Sequence, residues 1–286
     1  MLLAAIVAGC GAGNVPSRPA FPPTGLVLLS LSAGSVRATA AVGSDPVAVI
    51  VSADGRTAYV ADSAPGDVYA VTLPGLQTQW KAHVGGAPFG MLMHLGRLYV
   101  SLYDLGQIVE LEPSTGRIVA YDKAPGHPAA LTIDSHGAIA VAAGSAFGIA
   151  LVGATLWTAD YQRSLLTTAD GSKQVPLPTP VHPFWLSPGA AEHLLIAAEG
   201  ESEDTDPGTV FSYDTVKGTF ATLGRPRDPD LVVESDNTVF VAAHGDREVL
   251  AINGASTRRW AQGASPVAVA PDAALGLLVI VVNSHE

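Results

Sequence analysis

Asp45-Pro46-Val47-Ala48-Val49-Ile50-Val51, Ser52-Ala53-Asp54-Gly55, Thr57-Ala58-Tyr59-Val60-Ala61-Asp62 and Val68-Tyr69-Ala70-Val71-Thr72-Leu73 before Pro74-Gly75 form the stretch on which the fold turns. A proline-led run of β-branched residues meets an Asp-Gly turn. A second run alternates aromatic with small residues, and a third ends at Pro-Gly. Short runs of this composition between Asp-Gly and Pro-Gly read as antiparallel strands joined by tight turns. No window of ten or more residues shows a convincing 3.6-residue apolar period, so long helices are not expected.

The opening block recurs as Ala87-Pro88-Phe89-Gly90-Met91, His127-Pro128-Ala129-Ala130-Leu131, His182-Pro183-Phe184-Trp185-Leu186, Asp228-Pro229-Asp230-Leu231-Val232 and Ser265-Pro266-Val267-Ala268-Val269. Counted from Pro46, the prolines are 42, 40, 55, 46 and 37 residues apart. Polar turns and β-rich runs follow each block, such as Leu98-Tyr99-Val100-Ser101 and Val239-Phe240-Val241-Ala242. Four strands in a unit of about 40–45 residues is the signature of a β-propeller blade. One such sheet cannot cover both of its own faces, so blades must pack in a ring.

The last unit stops after two strands, Pro266 to Asn283, and the first two runs, Gly25 to Leu31 and Ala38 to Val42, lack inner partners. Joined, they complete one blade and hide edges that would otherwise template aggregation. The expectation is a single all-β domain over residues 24–286: a six-bladed propeller of four-stranded antiparallel blades, closed by pairing of N- and C-terminal strands. The third unit departs from the pattern, with 55 residues between Pro128 and Pro183. Its segment from Ala143 to Leu165 is too apolar for a solvated loop. It reads as an added hairpin or as part of a seventh, degenerate blade, so a seven-bladed ring is the alternative. Phe147, Trp157 and Tyr161 in this segment form a candidate lid over the channel mouth, with packing against a neighbouring blade as the competing role.

The consensus of x-Pro, Asp-Gly, Tyr-Val and Thr-Gly-Arg resembles the YVTN-repeat (YncE-like) propeller family. Ala53-Asp54-Gly55-Arg56-Thr57-Ala58-Tyr59-Val60-Ala61-Asp62 and Glu112-Pro113-Ser114-Thr115-Gly116-Arg117-Ile118-Val119-Ala120 match best. The resemblance covers residues 24–286 and implies the fold. It implies no activity, because propellers of unrelated function share these turns.

Upstream, Val7-Ala8-Gly9-Cys10 resembles a bacterial lipobox, although no Lys or Arg precedes the apolar run. The resemblance implies that residues 1–9 are a signal-peptide remnant and that Cys10 carries lipid. Residues 10–23, with prolines at 16, 19, 22 and 23, then read as an extended tether. The expected location is extracytoplasmic, on a bacterial membrane, held by the lipid anchor only.

Charged residues are 14% of the chain, with 15 basic against 26 acidic and a net charge of −11. That excludes a nucleic-acid partner, which needs a basic face. One cysteine excludes a disulfide framework and a cysteine-based zinc site. There is no G-x-S-x-G elbow, H-E-x-x-H pair, phosphate loop or C-x-x-C, so no catalytic residue is assigned.

In a propeller, the loops entering each inner strand and those leaving the second strand share one face. Asp45, His127, His182, Asp228 and Asp230 belong to the first set. Asp62, Asp104, Glu199, His244, Asp246, Asn283 and His285 belong to the second. Asp45, Asp62, His127, His182, Glu199, Asp228 and His244 form the candidate rim. Carboxylates and imidazoles converging there suit a divalent cation, the one cofactor entertained; the competing role is to satisfy turn backbones. Glu199 to Asp206 is strongly acidic but lacks EF-hand order, and reads as a solvated loop. Two functions follow. The first is a lipid-anchored binding or scaffold protein taking a protein, glycan or small molecule at one face. The alternative is a metal-dependent hydrolase or lyase at the channel mouth.

Overall fold

The computed structural model describes residues 20–202 and 205–285. The lipobox, Cys10 and most of the tether lie outside the described residues. The described chain is all-β and contains no helix. Its strands form six four-stranded antiparallel blades arranged as a six-bladed β-propeller.

Two strands open the chain, β1 (Thr24–Ser30) and β2 (Val36–Ala40). Blade 1 holds β3 (Pro46–Val51), β4 (Thr57–Asp62), β5 (Asp67–Thr72) and β6 (Thr78–His83). Blade 2 holds β7 (Pro88–His94), β8 (Arg97–Leu102), β9 (Gln107–Leu111) and β10 (Ile118–Lys123). A hairpin, β11 (Leu131–Ile133) and β12 (Ile139–Val141), comes next. Blade 3 holds β13 (Ala146–Val152), β14 (Thr155–Asp160), β15 (Leu165–Thr168) and β16 (Gln174–Pro176). Blade 4 holds β17 (His182–Pro188), β18 (His193–Glu199), β19 (Thr209–Asp214) and β20 (Thr219–Gly224). Blade 5 holds β21 (Pro229–Ser235), β22 (Thr238–Ala243), β23 (Glu248–Asn253) and β24 (Ser256–Trp260). The last strands, β25 (Pro266–Asp272) and β26 (Leu277–Asn283), join β1 and β2 as the closing blade, in the order β25-β26-β1-β2.

The proline repeat marks a bulge. The ladder shifts between Pro46 and Ala48, Pro88 and Met91, Pro183 and Trp185, Pro229 and Leu231, and Pro266 and Ala268. Proline has no N–H to give a ladder, so it fits a strand's first residue beside a bulge. The mouth end of each of these inner strands is therefore bent at a position written in the sequence.

At the seam, β1 pairs with β26 from Thr24 opposite Asn283 to Ser30 opposite Leu277. All seven residues of β1 are buried. Leu26 and Leu28 pack with Val49, Val60 and Val71 of blade 1, whereas Val27 and Leu29 pack with Phe240 and Trp260 of blade 5. The period-two alternation of a strand thus loads both faces, which is why this run is apolar without interruption. Burying each such side chain is worth about 1.5–3 kcal/mol.

The third unit is corrected by the structure. Ala143 to Leu165 is not an insertion: β13 and β14 from that segment begin a complete blade. The extra element is β11–β12, a separate two-stranded sheet contacting β7 on one side and β13 on the other. A Cβ on Gly90 would lie 2.3 Å from the Ala129 carbonyl oxygen, and one on Gly148 would lie 2.6 Å from the Leu186 nitrogen. The hairpin thus abuts blade 2 as blade 4 abuts blade 3. It fills the inner part of a gap in the ring, and a seventh four-stranded blade does not form among the described residues.

Candidate functional site

The bent ends of the inner strands converge on a cavity of about 330 Å³ in the channel. Its walls are Val47 and Ala48 of blade 1, Phe89 of blade 2, Phe184 and Trp185 of blade 4, Leu231 of blade 5 and Val267 of the closing blade. Four ionisable groups also line it: Glu199 at the end of β18, Asp228 and Asp230 at the start of β21, and His244 after β22. The ladder explains their meeting. Glu199 stands opposite His182, and His244 bonds through its backbone N–H to the Asp228 carbonyl at 2.9 Å. Glu199, Asp228 and Asp230 each offer an oxygen within 4.8 Å of the others. Glu199 and Asp228 are buried, at 3% and 7% exposure. No Lys or Arg is among the described residues lining the cavity.

An aromatic belt adjoins the acidic side. The Tyr161 hydroxyl donates to Glu199 Oε2 at 2.6 Å. Its ring stacks on His182 with centroids 4.8 Å apart, and His182 Nδ1 lies 2.9 Å from the Tyr161 carbonyl oxygen. Phe147 sits among Phe184 at 5.1 Å, Tyr161 at 5.5 Å, and Phe89 and Tyr103 at 6.2 Å. His127 stacks on Tyr103 at 4.7 Å, its Nδ1 lying 3.0 Å from the Tyr103 carbonyl oxygen.

The structure divides the residues singled out in the sequence. Glu199, Asp228 and His244 come together at the cavity, with Asp230 as a fourth member. His127 and His182 stand on the rim against tyrosines and do not line the cavity. Asp45 and Asp62 serve the backbone. Asp62 accepts from the N–H groups of Asp45 at 2.5 Å and Ser44 at 3.0 Å, and burial still holds its pKa above the ordinary carboxylate value. Asp45 accepts from Ala64 N–H and from the Asn283 side-chain amide. Of the lid candidates, Phe147 and Tyr161 belong to the belt. Trp157 is core: it is 2% exposed, with its ring 5.6 Å from that of Tyr213. The cavity's own aromatic wall, Phe89, Phe184 and Trp185, was not among the candidates. Its signal was the aromatic residue just after Pro88 and Pro183.

Chemically, the arrangement is a concave, mostly apolar site with a few convergent polar groups, the form that small-ligand sites take. Three carboxylates and an imidazole supply hydrogen-bonding groups on its wall. An oxygen-rich donor set of this kind also suits a hard divalent cation.

Neither a protein-family model nor a curated protein sequence matches the chain. Solved propellers do. A periplasmic gluconolactonase of Pseudomonas aeruginosa, PpgL, aligns with a TM-score of 0.65 at 14% identity, over 91% of this chain and 99% of that one. The propeller domain of Myceliophteria thermophila Cps50 (Swd1) aligns at 0.64 and 10% identity, over 91% and 99%. BamB from Moraxella catarrhalis aligns at 0.51 and 16% identity, over 92% of each chain. At these identities the likeness is one of fold alone.

Proposed function

We propose that this chain is a propeller of the YVTN-repeat kind that binds a small molecule in its channel mouth. It works outside the cytoplasm, tethered to a membrane through lipid on Cys10. The observation that carries the binding reading is the cavity of about 330 Å³, apolar along the inner strands and acidic at one end. The tether bears on how such a site would be presented. Ser284 N–H donates to the Pro23 carbonyl at 2.9 Å, so the segment before β1 leaves from the same face as the mouth.

Two measurements test this. Ligand-observed NMR with a fragment mixture should show binding that Phe184→Ala abolishes; loss of no fragment in that variant refutes the cavity as the site. Fractionation of cells expressing the full-length protein and Cys10→Ser tests the anchor, with any upstream basic residues included. The natural chain should enter the membrane fraction and the variant should not; equal partition refutes the anchor.

A metal-dependent hydrolase at the same mouth is the second reading. The spacing of Glu199, Asp228 and Asp230 favours it, since three carboxylate oxygens within 4.8 Å could hold a divalent cation that activates water. Metal analysis of purified protein together with a lactone-hydrolysis assay separates the readings.

A further inference from the structure

We infer that the open edge of the β11–β12 hairpin takes a strand from a partner protein: an extended segment of alternating apolar residues that begins with a Lys or Arg. This surface lies between blades 2 and 3 and needs nothing of the channel cavity.

In every full blade the second strand is laddered on both edges, as β4 is by β3 and β5. β12 is laddered by β11 alone, because the chain passes from it straight into β13, the inner strand of blade 3. The hairpin's own bonds show which groups that leaves. Ala142 N–H donates to the Ala130 carbonyl and Asp134 N–H to the Ala138 carbonyl, so Ala138, Ala140 and Ala142 face β11. Backbone groups alternate sides along an antiparallel strand, and the N–H and C=O of Ile139 and Val141 therefore point to the other edge. Among the described residues no strand pairs there. Such an edge is a template for one more strand.

The walls favour this edge over the outer edge of a blade. Val109 and Leu111 pack on blade 1, so Ile108, Glu110 and the laddered Tyr99 turn toward the hairpin. On the other side Ala159 and Leu166 pack on blade 4, which turns Thr158 and Leu165 toward it. Ala159 and Leu166 are fully buried, whereas Tyr99, Ile108, Leu165, Ile139 and Val141 are only half-buried. A strand laid along β12 covers these apolar side chains while it satisfies the edge. A strand on an outer edge gains the ladder alone.

Charge gives the partner its sign. Asp122 stands opposite Ile108, on the same wall, and is exposed at the mouth end of β10. Arg97 of that wall is shared between Glu110 and Glu112, which leaves negative charge in excess. The ladders of the hairpin and of the blades beside it are antiparallel, so an added strand starts at the mouth end, near Asp122. A basic residue at its start meets that carboxylate.

The test is hydrogen exchange followed by NMR on the full chain, with three capped peptides. One has the sequence of β5, the third strand of blade 1; the second is the same with Asp67→Lys; the third is that lysine peptide with every backbone N–H methylated. In the protein alone, the Ile139 and Val141 amides should exchange faster than that of Ala140. The lysine peptide should slow both. It should bind about 3- to 10-fold more tightly than the β5 peptide at low salt, and high salt or Asp122→Asn should close that gap. The methylated peptide keeps the side chains, cannot donate to a ladder and should not bind. If no peptide slows exchange at Ile139 and Val141, the edge takes no strand and the inference is wrong. Binding of the methylated peptide as tightly as its parent means apolar adsorption and overturns it as well. Equal binding of the two unmethylated peptides overturns the basic partner. All three comparisons use the unaltered protein, so a misfolded variant does not blunt them.

Discussion

Asn283 donates its side-chain amide to a carboxylate oxygen of Asp45 at 2.9 Å, across 238 residues of sequence. The last strand of the chain is thereby fastened to the rim of the first full blade. Asp45's other oxygen accepts the Ala64 N–H at 2.9 Å, and Asp62 takes the N–H groups of Ser44 and Asp45. The seam therefore has a polar lock beside the apolar pairing of β1 with β26. Asn283 is fully buried. Asn283→Ala removes a donor to a charged acceptor and should cost about 1–3 kcal/mol. A Tm lower by several degrees is the expected result. An unchanged Tm would mean that the lock contributes nothing.

The outer turns should make stability depend on pH in a definite direction. Asp214 is held down to about 2, first by the Lys217 backbone N–H and then by the Lys217 ammonium. Asp170 is held down to about 2 by the Thr168 hydroxyl and the Ser172 N–H. Both folded-state values lie below the ordinary 3.8. Their contribution is thus fully present above about 3.8 and is lost as pH falls toward 2. Asp170→Asn with Asp214→Asn should lower Tm at neutral pH, and the gap from the unaltered protein should shrink as pH drops through that window. A gap of constant size between neutral pH and pH near 2 would contradict the assignment.

Trp157 and Phe147 should part company under mutation. Trp157 is packed among Leu166, Leu194 and Tyr213 between blades 3 and 4, so Trp157→Ala should cost about 3–5 kcal/mol. Phe147 is half-buried in the aromatic belt beside the mouth, and Phe147→Ala should cost clearly less. Thermal melts of the two variants check this order. A larger loss at Phe147 would place it in the core and Trp157 outside it.

Why one lid candidate became core is visible in two short sequences. The x-Pro block at His127-Pro128 looks like the start of a blade and builds only the β11–β12 hairpin. The blade itself starts at Ser145-Ala146-Phe147-Gly148-Ile149, where Ala146 stands in the proline position. Ala87-Pro88-Phe89-Gly90-Met91 has the same Phe-Gly pair at the same bulge. Proline is sufficient at that site and not required, since any residue serves where the ladder needs no donor. The blades and the seam were legible because turns and alternation are local. The acidic cluster was legible only in part, for a reason of register. Asp62 stands opposite Pro46, whereas Glu199 stands opposite His182, one position earlier than its proline. One residue along a strand turns a side chain to the other face. Asp62 therefore bonds backbone while Glu199 enters the cavity, and nothing in a list of rim acids separates the two.

Ser101 should be what holds the hairpin in the ring. Its side chain is fully buried, and its hydroxyl donates to the Ala129 carbonyl at 2.7 Å while accepting the Gly90 N–H at 2.7 Å. One oxygen thus fills the bulge of β7 and ties it to the chain entering β11. On the other side, Ala130 N–H donates to the Phe147 carbonyl at 3.0 Å. Ser101→Ala leaves a buried donor and a buried acceptor without this partner, each at about 1–3 kcal/mol. The effect should be local as well as global: amides near Ala129 to Ile133 should exchange hydrogen faster than in the unaltered protein, and by more than the fall in Tm alone would bring about. Ser101→Thr tests geometry, because it keeps the hydroxyl and adds a methyl group at a fully buried position. If Ser101→Ala leaves exchange in the hairpin unaltered, the Ala130 bond to Phe147 and packing against Ile149 hold the hairpin, and the serine is not its tie.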